Sequence, residues 1–146
     1  MRAIQKKSEH GNAMLEFAIG WGVLWFVFSG VYQFGYAFYV YNVLLTQVAN
    51  AAELGSKLSY NNVSPDTYTT ALQNMVVYGD ETSTGLNPVV PGLGTGNVSV
   101  VLNNATFPQD VTITITGYTI DAFFTKFALN NKPRATAAYY GQVSSN

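Results

Sequence analysis

Few residues of this chain are of a type that does chemistry, and the most conspicuous is a carboxylate beside hydrocarbon. Glu16 stands at the mouth of a long apolar run, and the next charged residue is Glu53. An ionised carboxylate is costly in an apolar medium, so a glutamate there needs a partner or a purpose. Five residues before it lies Gly11, which ends a short polar stretch carrying Arg2, Lys6 and Lys7 against Glu9. The other candidates are weaker. His10 is the only histidine and there is no cysteine, which removes the usual zinc ligand sets, thiolate nucleophiles and disulfide frameworks. Asp80 and Glu81 are two adjacent acids in a loop, far short of a calcium motif. Gly92-Leu93-Gly94-Thr95-Gly96 lacks the lysine of a phosphate loop and opens no helix, so it reads as a flexible turn. No enzymatic activity, metal or cofactor is expected.

The elements that must position Glu16 follow from composition. The chain has 146 residues, enough for about one domain, and is 48% hydrophobic but only 10% charged. About a quarter charged is usual for a soluble domain. The apolar excess lies between Phe17 and Leu45, which points to a membrane segment rather than a large core. Net charge is -1, so nothing electrostatic favours nucleic acid as a partner. The basic residues before the apolar run predict a cytoplasmic N-terminus and an extracytoplasmic C-terminal part. Without residues 1–11, four basic and seven acidic residues remain, a balance of -3.

No proline occurs from Asn12 to about Leu58, and a helix of that length measures roughly 70 Å. Only about 30 Å of hydrocarbon needs spanning, so the helix must project beyond the membrane and join a soluble domain. Leu44, Leu45, Val48, Ala51, Ala52, Gly55 and Leu58 recur at helical steps as a stripe able to pack on a sheet. The first half, with Phe17, Trp21, Leu24, Trp25, Phe28 and Val31, is apolar nearly all round. Its aromatics are assigned to packing, with Tyr36 to Tyr41 as an interfacial belt, rather than to electron transport.

Beyond Asn61-Asn62, Ser64-Pro65-Asp66 reads as N-cap, first-turn proline and first-turn acid. A short helix is predicted from about Pro65 to Tyr78, stopped by Gly79. Gly79 to Gly96 is a loop by composition. Val98, Val100 and Leu102, then Val111, Ile113 and Ile115, alternate with polar neighbours as two strands of an antiparallel hairpin. Phe123, Phe124 and Phe127 are expected to cap the core, and Arg134 to Gly141 to supply a third strand. The predicted fold is α+β: a long N-terminal membrane helix whose C-terminal half packs on a short helix and a small antiparallel sheet. The organisation is a leader at 1–11, the helix at 12–58 with its span at about 17–41, and an extracytoplasmic αβ domain at 59–146.

The stretch Gly11-Asn12-Ala13-Met14-Leu15-Glu16-Phe17, followed by an apolar run, resembles the processing site of type IV pilin-like proteins. It is most similar to TadE-like minor pilins of tight-adherence (Flp) systems. Gln33-Phe34-Gly35-Tyr36-Ala37-Phe38-Tyr39-Val40-Tyr41-Asn42 looks like the membrane-exit motif of that family. Ala49-Asn50-Ala51-Ala52-Glu53-Leu54-Gly55-Ser56 resembles its Ala-rich continuation. The likeness covers about the first 58 residues. Classical type IV pilins usually carry a helix-kinking proline and often a C-terminal cysteine pair; both are absent here, which favours the Tad-type likeness. The resemblance implies cleavage by a prepilin peptidase between Gly11 and Asn12, with Glu16 as the assembly glutamate. It further implies pilin subunits and an inner-membrane assembly machinery as partners, and a passage from the inner membrane to an extracellular pilus or periplasmic pseudopilus. Two alternatives stand beside it: the major subunit of the filament, and a single-pass anchor that keeps its N-terminus.

Overall fold

The computed structural model describes residues 10–62, 64–82, 87–104, 106 and 108–144. The leader expected at 1–11 therefore lies mostly outside the described residues, as do positions 83–86 of the loop after Gly79.

One helix, α1 (His10–Lys57), runs for 48 residues, about 72 Å at 1.5 Å per residue. Its two halves meet different surroundings. Residues 11–28 are exposed on every face. From Ser29 onward one face is progressively covered, and Val40, Leu44, Val48, Ala51 and Ala52 are buried at steps of three and four. This is the stripe expected from the sequence, with two adjustments. Leu45 is 42% exposed, because neighbours on a helix point about 100° apart and Leu44 already faces the core. Leu58 lies just past the helix end and is only half-buried. Packing also begins earlier than the stripe suggested. Val40 is fully buried and Tyr36, Ala37 and Tyr41 pack against the core, so the domain covers part of the stretch 17–41.

A short β1 (Tyr60–Asn61) leads to α2 (Pro65–Tyr78). Pro65 sets the first turn, and Gly79 ends the helix at φ 74 with its N–H donating to the Met75 carbonyl at 3.0 Å. Only a residue without a Cβ takes that left-handed conformation freely. Ser64 holds the N-cap position, but its side chain makes no capping hydrogen bond. Tyr68, Leu72, Val76 and Val77 turn inward. α2 crosses α1 at Gly55, where a Cβ would come within 3.0 Å of both Leu72 Cδ1 and the Tyr68 hydroxyl. Glycine at 55 thus sets how closely the two helices approach.

The loop before the strands is not the slack connection its glycines suggested. Val90 and Leu93 are buried. The Val89 N–H donates to Val77 O at 2.8 Å, and the Tyr118 hydroxyl donates to Pro91 O at 2.8 Å. A single 3₁₀ turn (Thr95–Asn97) follows. Asn97 accepts from the Gly94 N–H at 3.1 Å and donates to Thr116 O at 3.2 Å, tying this turn to the start of the sheet.

Strands β2 (Val98–Leu102), β3 (Asp110–Ile115) and β6 (Arg134–Ala138) form an antiparallel sheet with β3 central. Val111, Ile113 and Ile115 of β3 are fully buried, as their alternation with threonine predicts. The fold is α+β, with the long helix, the short helix and this sheet in the expected arrangement. The β-structure is nonetheless divided. β4 (Tyr118–Ala122) and β5 (Thr125–Leu129) form a separate hairpin, and β1 pairs in parallel with β7 (Val143–Ser144). The hairpin corrects one expectation. Phe123 and Phe124 are its turn, 81% and 69% exposed, so only Phe127 of the three packs toward the core.

Candidate functional site

The candidate site is the first half of α1, and it is defined by what it leaves open. The Gly11–Asn12 peptide bond falls in the first turn of the described helix. A Cβ on Gly11 would meet nothing within 4 Å. One turn further, Glu16 is exposed. The ion pairs among the described residues are Lys57–Glu53 at 2.7 Å and Lys126–Asp121 at 3.6 Å, so Glu16 has no cation beside it there. Glycine, asparagine and glutamate lie on one continuous helix, which fixes their spacing but brings no catalytic group to them.

Phe17, Trp21, Leu24, Trp25, Phe28 and Val31 all expose more than half of their side-chain surface. They share one side of the rod, at steps of three and four, and Leu15, Ile19, Val23, Phe26 and Val27 leave the opposite side exposed as well. Phe17 stacks on Trp21 with ring centroids 6.3 Å apart, and Trp25 meets Phe28 at 6.0 Å. Both contacts are the neighbour pairs that helical spacing produces. An apolar surface this large is far beyond the scattered exposed hydrophobics of an ordinary domain. α1 is long and apolar enough to cross a membrane.

The opposite end of the helix is locked instead of open. Tyr60, Tyr68 and Tyr139 pack edge to face, with centroids 5.3 Å (Tyr60–Tyr68) and 6.5 Å (Tyr68–Tyr139) apart. The Tyr68 hydroxyl donates to Gly55 O at 2.6 Å. The Tyr139 hydroxyl accepts from the Tyr60 N–H and lies 2.9 Å from the carbonyl oxygens of both Leu58 and Gln142. Burial, with Tyr139 and Tyr60 alongside, pushes the Tyr68 phenol well above its ordinary value. Gly141 completes the lock. A Cβ there would stand 2.5 Å from Leu58 O, closer than any real contact permits. This cluster fastens the last strands to the helix end.

The surface that sequence reasoning missed is the β4–β5 hairpin lying along α1. Phe127 meets Phe34 with centroids 5.9 Å apart. Toward the turn, Phe124 and Thr125 face Gly22, Trp25, Phe26, Ser29, Gly30 and Gln33 across an open cleft of about 600 Å³. The alternation Tyr118, Ile120, Ala122 was the available signal; it was masked by a turn made of two phenylalanines. Protein-family models, curated proteins and solved structures offer no match to this chain.

Proposed function

We propose that this protein is a prepilin, a minor pilin or pseudopilin resembling the TadE-like subunits of tight-adherence systems, whose role is assembly and not catalysis. The observation that carries the reading is the half-helix of residues 11–28, exposed on every face, with Glu16 near its start. Such a surface is unstable in water and suits two environments in turn. In the inner membrane it contacts lipid; in a filament it contacts the same helix of neighbouring subunits.

Glu16 links the two stages. Cleavage between Gly11 and Asn12 by a prepilin peptidase releases the leader and creates an α-amine on Asn12. In the bundle of apolar helices, the amine of one subunit pairs with Glu16 of the next and fixes axial register. Removing one partner of a buried ion pair costs about 3–5 kcal/mol. The αβ domain then faces outward. Assembly machinery at the inner membrane supplies the work of extraction, and the mature subunit ends in an extracellular pilus or periplasmic pseudopilus.

The test is Glu16→Ala in the native host. The expected result is normal cleavage, normal membrane insertion and loss of the subunit from sheared filaments. A variant that is cleaved and assembles as the parent does would overturn the register role.

A further inference from the structure

We infer that the β4–β5 hairpin is a second membrane contact: Phe123 and Phe124 enter the outer leaflet beside α1, with Asp121 and Lys126 held at the headgroups. The inference rests on the reading of α1 as a membrane span and adds a lipid-binding element to it.

Geometry comes first. Phe127 of β5 lies against Phe34 of α1, and the hairpin runs from there back toward the helix N-terminus, to Phe124 and Thr125 opposite Gly22–Gln33. Three strand residues between Phe127 and Phe124 advance about 10 Å. The same distance on α1 is about seven residues, which puts the turn level with roughly residue 27. A hydrocarbon core of about 30 Å takes some 20 helical residues. Counted from the Asn12–Glu16 junction, its outer boundary falls at about residues 32–36. The turn therefore lies on the order of 10 Å inside that boundary, close to the depth at which interfacial elements embed. Once α1 spans, the turn has lipid around it and not water.

The chemistry of the turn fits that place. Ala122-Phe123-Phe124-Thr125 carries no charge. The two rings pack edge to face at 4.9 Å and expose most of their surface. The Phe124 N–H donates to Ala122 O at 2.8 Å, so the turn closes one of its own polar groups, as an apolar medium requires. One rung back, Asp121 and Lys126 stand opposite each other, exposed and 3.6 Å apart. That rung sits level with the expected boundary, where charges remain hydrated. Phe123 adopts φ 67, a conformation that favours glycine or asparagine and disfavours a bulky residue. An exposed aromatic at a strained turn points to a requirement for the ring itself.

The chain has no cysteine, so single-cysteine variants of the full protein report position without background. Phe124→Cys, Val23→Cys and Lys57→Cys are each coupled to an environment-sensitive fluorophore. They are reconstituted sparsely in phosphatidylethanolamine–phosphatidylglycerol vesicles containing lipids with a quencher near the headgroup or near the chain end. The expected result is several-fold stronger quenching at position 124 than at 57, favouring the shallow quencher, and strong quenching at 23. Quenching at 23 but not at 124 overturns the hairpin contact and leaves the span intact. Absence of quenching at 23 overturns both. A signal at 124 that ignores quencher lipid and responds to added unlabelled protein assigns the turn to a second copy, which also overturns the lipid contact.

Discussion

The two halves of α1 have nearly the same backbone and opposite fates. From Tyr36 to Lys57 the helix shows one apolar face and buries it against α2 and the three-stranded sheet. From Gly11 to Phe28 it is apolar around its circumference and buries none of it within the chain. Charge placement separates the same regions: Glu53 pairs with Lys57 on the solvent side of the packed half, whereas Glu16 is alone in the open half. A stripe supports one partner surface, the chain's own domain. An apolar cylinder needs an apolar surrounding, and here that must come from outside the chain.

Equivalent leucines in the two halves give the largest contrast. Leu44→Ala empties a fully buried site and should cost about 2–5 kcal/mol, read as a drop in the unfolding midpoint of the domain in detergent. Leu24→Ala should leave that midpoint within the range of a surface change, about 0.5 kcal/mol. An equal loss at both positions would erase the distinction between the halves.

The lock at the far end of α1 is tested by Gly141→Ala. The added methyl must push against the Leu58 carbonyl and the Tyr139 ring, and overpacking of this kind costs about 1–3 kcal/mol. The same measurement checks it, with no change expected in membrane insertion.

Tyr68→Phe is expected to cost about 1 kcal/mol at neutral pH by removing the hydrogen bond to Gly55. Its pH dependence is the sharper signature. The folded-state value of Tyr68 is raised by burial first and by its tyrosine neighbours second. The stability it contributes is therefore complete below the unfolded value of about 10 and is lost as pH rises beyond it. Tyr68→Phe should make the fall in stability above that pH shallower than in the parent chain. The smallest effect belongs to Lys57→Ala: its ion pair with Glu53 is exposed on both sides, and no shift in the unfolding midpoint is expected.

Much of this was legible in the sequence for identifiable reasons. Pro65 and Gly79 bracket α2 because each has a backbone preference that side-chain context rarely overrides. The stripe of α1 and the alternation in β3 follow from periodicity alone. The β4–β5 hairpin was not legible, because Phe123 and Phe124 replace the glycine or asparagine that marks a tight turn. The β1–β7 pair is two residues long, too short to carry any period. The tyrosine lock joins residues about eighty positions apart, and no local pattern encodes such a meeting. The Gly11–Glu16 junction was legible as an anomaly, and the proposed partner of Glu16 is a charged amine that the Asn12 nitrogen becomes only after cleavage.

The central claim is that this junction is cut and that the exposed half-helix which follows is the assembly surface. Intact mass of the native protein, recovered from membranes and from sheared filaments, tests it most directly. A mature N-terminus at Asn12 in the filament fraction is the predicted result. A chain that begins at Met1 in the membrane and is absent from filaments would contradict the account and leave a simple membrane anchor.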